Sequence, residues 1–249
     1  MKLTVIDTGS AGNCYVLDCG GRKLLLDAGV SVKRILAALD YSLSAVSGVL
    51  LTHEHMDHAK AVADLMGRGI SVYATRGTGE ALGITKHHRF KPVDFSALFR
   101  PAGFVVGAFK AVHDAADPAG YLIGAGGERV AYVTDTAYLT VGFRALTYLI
   151  VECNHVREGV TDEGSSLPES VRRRIAETHM NLDVLAAYVG QMDQSRLQGI
   201  LLVHGSRDRG DMCAAVVSLV RAAPGVRVRV AEPGLVVKTG LRVEHTVTA

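Results

Sequence analysis

The sequence predicts a protein of the α/β class that folds as a four-layer αββα sandwich, with two β-sheets packed face to face and helices on both outer faces. Both halves of the chain contain short apolar strands separated by turns and accompanied by helices, a layout that buries its apolar faces best as two packed sheets. The 249 residues are 48% hydrophobic and 21% charged, a balance typical of a folded domain with a sizeable core. Since no Pro/Ser-rich linker or charge block divides the chain, we expect residues 1–249 to form a single domain.

The first half opens with an antiparallel arrangement of strands. Alternating and apolar runs predict strands over 3–7, 14–18 and 23–27, with Gly20 and Gly21 as a hairpin turn. A helix over 31–39 and a short buried strand over 48–52 follow, and this strand delivers the chain to His53. Next come a helix over 57–66 that ends at Gly67, a strand over 70–74 and a helical turn over 79–82.

The second half repeats this layout. Strands are predicted over 104–112, 120–123, 129–134 and 148–151. Helices over 168–178, 182–192 and 211–222 and strands over 200–203, 226–230 and 235–237 complete the chain.

The strongest chemical signal is the segment His53-Glu54-His55-Met56-Asp57-His58, which follows the buried strand. Residues i and i+2 at a strand end point the same way, so His53 and His55 can share one metal ion. The turn into the next helix directs Asp57 and His58 toward a second ion. Zn²⁺ suits these nitrogen and oxygen donors best, with Mn²⁺ or Fe²⁺ as other candidates. The alternative is a surface histidine cluster without a role.

Two ions need more ligands than this segment supplies. His113, Asp135 and His204 each stand where an apolar strand is predicted to end. A single histidine or aspartate in such a place is usually a turn or capping residue. Three of them in a chain that also carries the histidine-rich segment point to a shared metal site.

These motifs resemble, in order, those of the metallo-β-lactamase fold superfamily, and the resemblance spans nearly the whole chain. The matching positions are Asp27, the segment from His53 to His58, His113, Asp135 and His204. Within the superfamily, five segments resemble the YycJ/WalJ group of nuclease-like hydrolases: Gly9-Ser10-Ala11-Gly12-Asn13-Cys14, Leu26-Asp27-Ala28-Gly29, Thr52-His53-Glu54-His55, His113-Asp114-Ala115-Ala116-Asp117-Pro118 and Glu152-Cys153-Asn154-His155.

The resemblance implies a ligand set and a mechanism. The first ion would be held by His53, His55 and His113, the second by Asp57, His58 and His204, and Asp135 would bridge the two. A hydroxide between the ions would be the nucleophile, and two dications can lower the pKa of bound water enough to supply it near neutral pH. Asp57 would also orient that hydroxide.

Two further histidines have expected roles outside the ligand set. His179 lies between two predicted helices and is followed, as in relatives of this superfamily that process tRNA 3′ ends, by a helix, a strand and then the last ligand, His204. We expect it to stabilise charge or protonate the leaving oxygen, with a capping role as the alternative. His155 is expected to act behind the ligands rather than to bind metal.

Basic residues occur in two clusters that could hold substrate phosphates: Arg172 to Arg174 and, three residues past His204, Arg207 with Arg209. Arg172 and Arg207 are the candidates for substrate binding. Solvated helix faces are an equally good interpretation, because three consecutive arginines spread around a helix and cannot all face one cleft.

We therefore expect a metal-dependent phosphodiesterase, of exonuclease type, that acts on DNA or RNA. Hydrolysis of a small thioester, lactone or cyclic nucleotide on the same metal pair is the alternative, because the fold and the metals determine the nucleophile but not the substrate. A non-enzymatic binding protein is the third hypothesis, which the intact ligand set disfavours.

The net charge of +2 means that a nucleic acid must be bound by a local patch. The chain shows no secretory segment and no apolar run long enough to span a bilayer, so we expect a cytoplasmic protein without membrane contact.

Overall fold

Two mixed β-sheets of seven strands each dominate the structure, a computed structural model that describes residues 1–155, 168–205 and 212–239. The strands are β1 (Lys2–Asp7), β2 (Cys14–Cys19), β3 (Arg22–Leu26), β4 (Val46–Leu50), β5 (Val72–Thr75), β6 (Phe90–Val93), β7 (Leu98–Phe99), β8 (Val105–Lys110), β9 (Ala119–Ala125), β10 (Glu128–Val133), β11 (Tyr148–Glu152), β12 (Gly199–Val203), β13 (Arg227–Val230) and β14 (Val236–Lys238). The helices are α1 (Val32–Ala38), α2 (Met56–Ala59), α3 (Val62–Gly67), α4 (Arg76–Ala81), α5 (Glu169–Thr178), α6 (Leu182–Gln191) and α7 (Met212–Ala222).

The two sheets have matching topologies. The first runs in the order β14-β1-β2-β3-β4-β5-β6 and the second in the order β13-β12-β11-β10-β9-β8-β7. In the first sheet β3 to β6 are parallel neighbours, and in the second β10 to β13 are. The carboxyl ends of parallel strands lie at one edge of a sheet, which is where open α/β folds place their sites.

Three apolar clusters separate the layers and confirm the predicted four-layer sandwich. One lies between the sheets and includes Leu17, Leu24, Tyr121 and Ile150. A second joins the first sheet to α1 and α3, and a third joins the second sheet to α6 and α7. Each sheet therefore buries both faces, which explains why its central strands read as continuous apolar runs.

Two details differ from the prediction. The single helix expected over 57–66 is divided into α2 and α3, because the backbone between them bonds to the loop after β3: the Ala61 amide donates to the Ala28 carbonyl at 2.8 Å. The short strands β6 and β7 were not predicted. β6 contains Pro92 and lies at the edge of its sheet, where proline is tolerated but weakens the strand pattern in the sequence.

Among the described residues, no helix is long and apolar enough to cross a membrane.

Candidate metal centre

The carboxyl ends of strands from both sheets deliver polar side chains to one edge of the sandwich. Asp27 follows β3, and the segment that starts at His53 follows β4. From the second sheet, Asp135 follows β10, Glu152 ends β11 and His204 follows β12. The histidines and carboxylates of this cluster are buried or nearly so, except for Asp57 and His55, which are partly exposed.

Three of these residues have a left-handed backbone although none is glycine: Asp27, Asp135 and His204 have φ angles of 56°, 47° and 52°. This conformation costs a residue with a β-carbon about 1–2 kcal/mol. Such strain persists only where the surrounding structure enforces it, and it concentrates at functional sites. Here it turns each side chain from the end of its strand toward the same point.

The structure brings the side chains of the first predicted ligand group together. His53 Nε2 lies 3.1 Å from His55 Nδ1, and His113 Nε2 lies 3.3 Å from the same atom. Imidazole nitrogens that face one another at this distance create a concentration of lone pairs that a divalent cation satisfies.

The second predicted ligand group is also assembled. The Oδ2 atom of Asp57 lies 3.4 Å from His58 Nε2 and 3.4 Å from His204 Nε2. The two groups lie side by side, since the rings of His53 and His58 have centroids 4.2 Å apart.

Asp135 lies between the groups and offers a different oxygen to each. Its Oδ2 atom is 3.5 Å from His113 Nε2 and 3.9 Å from His53 Nε2. Its Oδ1 atom is 3.4 Å from His58 Nε2 and 3.4 Å from His204 Nδ1. This is the position that a carboxylate shared by two ions needs.

Three of the predicted histidine ligands are also held by a contact of Nδ1, the ring nitrogen that faces away from the other ligands. His53 Nδ1 contacts Thr52 Oγ1 at 3.0 Å, His58 Nδ1 contacts Asp27 Oδ2 at 2.8 Å and His113 Nδ1 contacts the Thr178 carbonyl at 2.9 Å. Metal-binding histidines are typically oriented in this way, because the outer hydrogen bond fixes the tautomer and the ring plane. The donor set and its support therefore fit divalent cations.

Burial and charge act in opposite directions on the carboxylate and imidazoles of the centre. Burial favours the neutral form of Asp135, but His204, His58 and His53 outweigh it and hold the pKa of this carboxyl well below its usual range. Burial also opposes protonation of His58, yet Asp135 and Asp27 raise its pKa well above the usual value. The charged forms of Asp135 and His58 thus stabilise each other, and a metal ion would supply the same positive charge.

Asp27 supports the centre through a hydrogen bond that joins the two sheets. It accepts hydrogen bonds from the Thr52 amide at 2.8 Å and from the Tyr132 hydroxyl of β10 at 2.6 Å, besides holding His58. It is completely buried. The carboxylate therefore fixes the two sheets and one predicted ligand in a single network.

Glu152 is a site residue that sequence reasoning missed. Its Oε2 atom lies 3.0 Å from His179 Nδ1 and 3.7 Å from His204 Nδ1, and its Oε1 atom accepts from the Thr136 amide. The signal was present in the sequence, because Glu152 ends a buried apolar strand as Asp135 and His204 do. In the sequence, Glu152 otherwise stands out only as part of a segment that resembles the YycJ/WalJ group.

His179 is brought to the rim of the centre. Its ring centroid is 5.0 Å from that of His113 and 5.6 Å from that of His204, against which it stacks. Burial lowers its tendency to bind a proton, but the Glu152 carboxylate outweighs this and raises the pKa of His179. This imidazole beside the predicted ligands therefore keeps its proton to a higher pH than an ordinary histidine does.

His155 lies behind this rim. Its carbonyl accepts from the Leu182 amide at 3.1 Å, and its Nδ1 atom is 3.4 Å from the Asn181 side-chain amide. These contacts join the end of β11 to the start of α6 and so fix the segment that carries His179.

The predicted substrate-binding arginines are only partly described. Arg172 lies on α5 and is half-buried, while Arg207 and Arg209 lie outside the described residues. Arg172 stays a prediction. The next two arginines of α5 face in different directions, and Arg174 bonds to Asp114 beside His113.

Comparison with known proteins adds a family and several relatives. The family model described as a Beta-lactamase superfamily domain matches residues 22–205, a stretch that contains all seven predicted ligands. Exodeoxyribonuclease YycJ of Bacillus anthracis is 29% identical over 226 residues, which cover 84% of this chain and 83% of that protein. Exodeoxyribonuclease WalJ of Streptococcus pneumoniae strain D39 is 31% identical over 171 residues, which cover 62% of this chain and 62% of that protein.

Among solved structures, the metallo-β-lactamase fold protein YhfI of Bacillus subtilis superimposes with a TM-score of 0.72 at 20% sequence identity. The match covers 94% of this chain and 98% of that protein. Since the identity is low, this likeness concerns the fold.

Proposed function

This chain belongs to the metallo-β-lactamase fold superfamily of metal-dependent hydrolases, as its motifs predict, and from this premise we propose that it is a two-metal phosphodiesterase that degrades DNA or RNA as an exonuclease. The observation that carries the proposal is the position of Asp135, whose two oxygens face two separate groups of ligands. A hydrolase that binds one ion has no need of this arrangement. The two relatives named exodeoxyribonuclease support nucleic acid, and DNA in particular, as the substrate.

The proposed cofactor is a pair of divalent ions, with Zn²⁺ as the best fit to five imidazoles and two carboxylates and with Mn²⁺ or Fe²⁺ as alternatives. The first ion would be held by His53, His55 and His113 and the second by Asp57, His58 and His204, and Asp135 would serve both. Bound there, the ions supply Lewis acidity toward a phosphate group and a water nucleophile available near neutral pH.

Asp57 has a second proposed task beside metal binding. Burial favours its neutral form, but the contacts with His204 and His58 outweigh this and hold its pKa well below the usual range. The carboxylate is therefore ionised at neutral pH. Because it is partly exposed at the mouth of the centre, it can accept a hydrogen bond from the attacking water and orient it toward phosphorus.

His179 is proposed to donate a proton to the leaving oxygen. Hydrolysis joins a water oxygen to phosphorus and releases the departing strand end as an alkoxide, which needs a proton to become a hydroxyl group. Glu152 holds Nδ1 of the imidazole, so Nε2 is the atom that can donate. A positioned acid of this kind commonly contributes about 10²- to 10⁴-fold in rate.

The proposal is tested by offering end-labelled single- and double-stranded DNA and RNA to the protein loaded with Zn²⁺ or Mn²⁺. We expect stepwise shortening of at least one of these substrates. His53→Ala should abolish it, whereas His88→Ala, an exposed histidine far from the predicted ligands in sequence, should not.

The label position reveals the polarity of cleavage. A protein that cleaves no polynucleotide, yet turns over thioesters, lactones or cyclic nucleotides, would instead have the small-molecule activity.

A further inference from the structure

Arg174 is anchored at the rim of the metal centre by one acidic neighbour. Its Nε atom donates to Asp114 Oδ2 at 2.5 Å, and the other oxygen of Asp114 lies 3.2 Å from His113 Nε2. A single carboxylate therefore separates the guanidinium from a predicted metal ligand.

The end of α5 is fixed against the same histidine. The Thr178 carbonyl accepts from His113 Nδ1 at 2.9 Å, and the Thr178 hydroxyl donates to the Arg174 carbonyl at 2.7 Å. Residues four apart lie on one helix face, so this anchoring turns Arg174 toward the centre together with Thr178.

The other two arginines of α5 occupy other faces of the helix. Arg173 pairs with Glu177 along the helix at 2.7 Å, and its side chain is 79% exposed. Arg172 lies about 200° around the helix from Arg174, because each residue of an α-helix turns about 100°. Arg174 is the one of the three whose described contacts lead, through Asp114, to a predicted ligand.

The guanidinium keeps most of its donors available. Within the described part of the chain, Asp114 is its only hydrogen-bond partner, and it occupies the Nε–H group. The two terminal amino groups remain for a ligand, and the side chain is 55% exposed. Such a planar pair of donors matches two oxygens of a phosphate group.

The charge of Arg174 also acts over the centre. The hydrogen bond to Asp114 raises the pKa of the guanidinium, and the carboxylates of Asp135 and Asp57 raise it further. The cation is therefore within electrostatic range of the residues proposed to bind both ions, although it lies outside their ligand groups.

We infer that Arg174 binds the substrate phosphate next to the one being hydrolysed and that Asp114 positions it for this task. The inference rests on the proposed function and adds the residue that selects polynucleotides. Asp114 stands between Arg174 and His113, so the guanidinium lies beside the ligand groups and is not a member of them. A substrate with only one phosphate cannot use this contact.

The test compares Arg174→Ala with Arg173→Ala, a matched control that removes the same charge one position away. Each metal-loaded protein is assayed for KM on a single-stranded DNA and for Kd on a phosphorothioate oligonucleotide by fluorescence anisotropy at several salt concentrations. For Arg174→Ala we expect KM and Kd to rise about 10-fold or more, as for a lost charged hydrogen bond. The log-log salt slope should become shallower by about 0.7.

Arg173→Ala should leave both constants and the slope unchanged. Arg174→Lys keeps the charge and should recover the slope but only part of the affinity, because lysine cannot present two parallel donors. Asp114→Asn should weaken binding less than Arg174→Ala does, with metal content unchanged.

Equal constants for Arg174→Ala and Arg173→Ala would overturn the inference while leaving the nuclease proposal intact. Loss of metal from Arg174→Ala would also overturn it, since the role would then be structural. If the unaltered protein neither binds nor cleaves any polynucleotide, the proposed function fails, and the inference fails with it.

Discussion

Gly29 and the carbonyl group of Asp57 are in direct contact, so that a β-carbon at position 29 would lie 1.7 Å from the Asp57 oxygen. The contact brings the loop after β3 against α2, which carries the predicted ligands Asp57 and His58. Neighbouring hydrogen bonds hold it closed: Ala28 donates to the His58 carbonyl and Asn13 to the Asp57 carbonyl, both at 2.7 Å. Only glycine permits this approach.

The substitution Gly29→Ala should therefore displace Asp57 and His58. We expect the free energy of unfolding to fall by about 3 kcal/mol, the upper part of the usual range for overpacking, and the second ion to be lost. Urea denaturation and elemental analysis measure the two effects. Gly190→Ala is the control, because a β-carbon there meets nothing within 4 Å and alanine in a helix should be neutral or stabilising.

Asp135→Ala should remove more than one metal ion per protein. Each oxygen of Asp135 faces a different ligand group, and without this carboxylate two dications would repel each other with less negative charge between them. Elemental analysis after removal of loosely bound metal measures the loss. Asp64→Ala, at an exposed position of α3, should keep full occupancy, and full occupancy in Asp135→Ala would contradict the bridging role.

His179→Ala should keep both ions and lose about 10²-fold or more in kcat, as expected for a proton donor outside the ligand groups. Metal content and turnover must be measured on the same preparation. If the ions and the activity disappear together, His179 is a ligand. A variant with unchanged kcat would leave it a helix-capping residue.

The pH dependence of kcat should report on Glu152. Because the Glu152 carboxylate raises the pKa of His179, His179 stays protonated to a higher pH than an ordinary imidazole. Activity that needs this proton persists below the raised pKa and declines as pH increases through it. Glu152→Gln removes the charge but retains an acceptor for the Thr136 amide, so the alkaline decline of kcat should move to lower pH.

A pH–rate profile of the variant beside that of the unaltered protein decides this prediction. If kcat declines at the same alkaline pH in both proteins, a group other than His179 controls the decline. Unchanged thermal stability of Glu152→Gln is the control for local unfolding.

Much of the fold could be predicted from local pattern. Runs such as Leu24 to Leu26 and Ile200 to Val203 are apolar because their strands are covered on both faces, and a histidine or aspartate at the end of such a run marks the edge of a sheet. The segment from His53 to His58 indicates metal binding by itself, since its ligands are close in sequence. These features depend on neighbours along the chain, which is what a sequence displays.

The remaining features depend on contacts between distant segments. Asp135 lies between two ligand groups only because the two sheets pack face to face, and Glu152 becomes the partner of His179 only when the residue that follows α5 meets the end of β11. The choice of Arg174 among three consecutive arginines depends on where α5 docks against His113. Left-handed backbone at Asp27, Asp135 and His204 is likewise held by surrounding structure, because aspartate and histidine tolerate this conformation better than most residues but still pay for it. The sequence by itself determined which residue types reach the edge of the sheets, and the tertiary structure decided which of them meet.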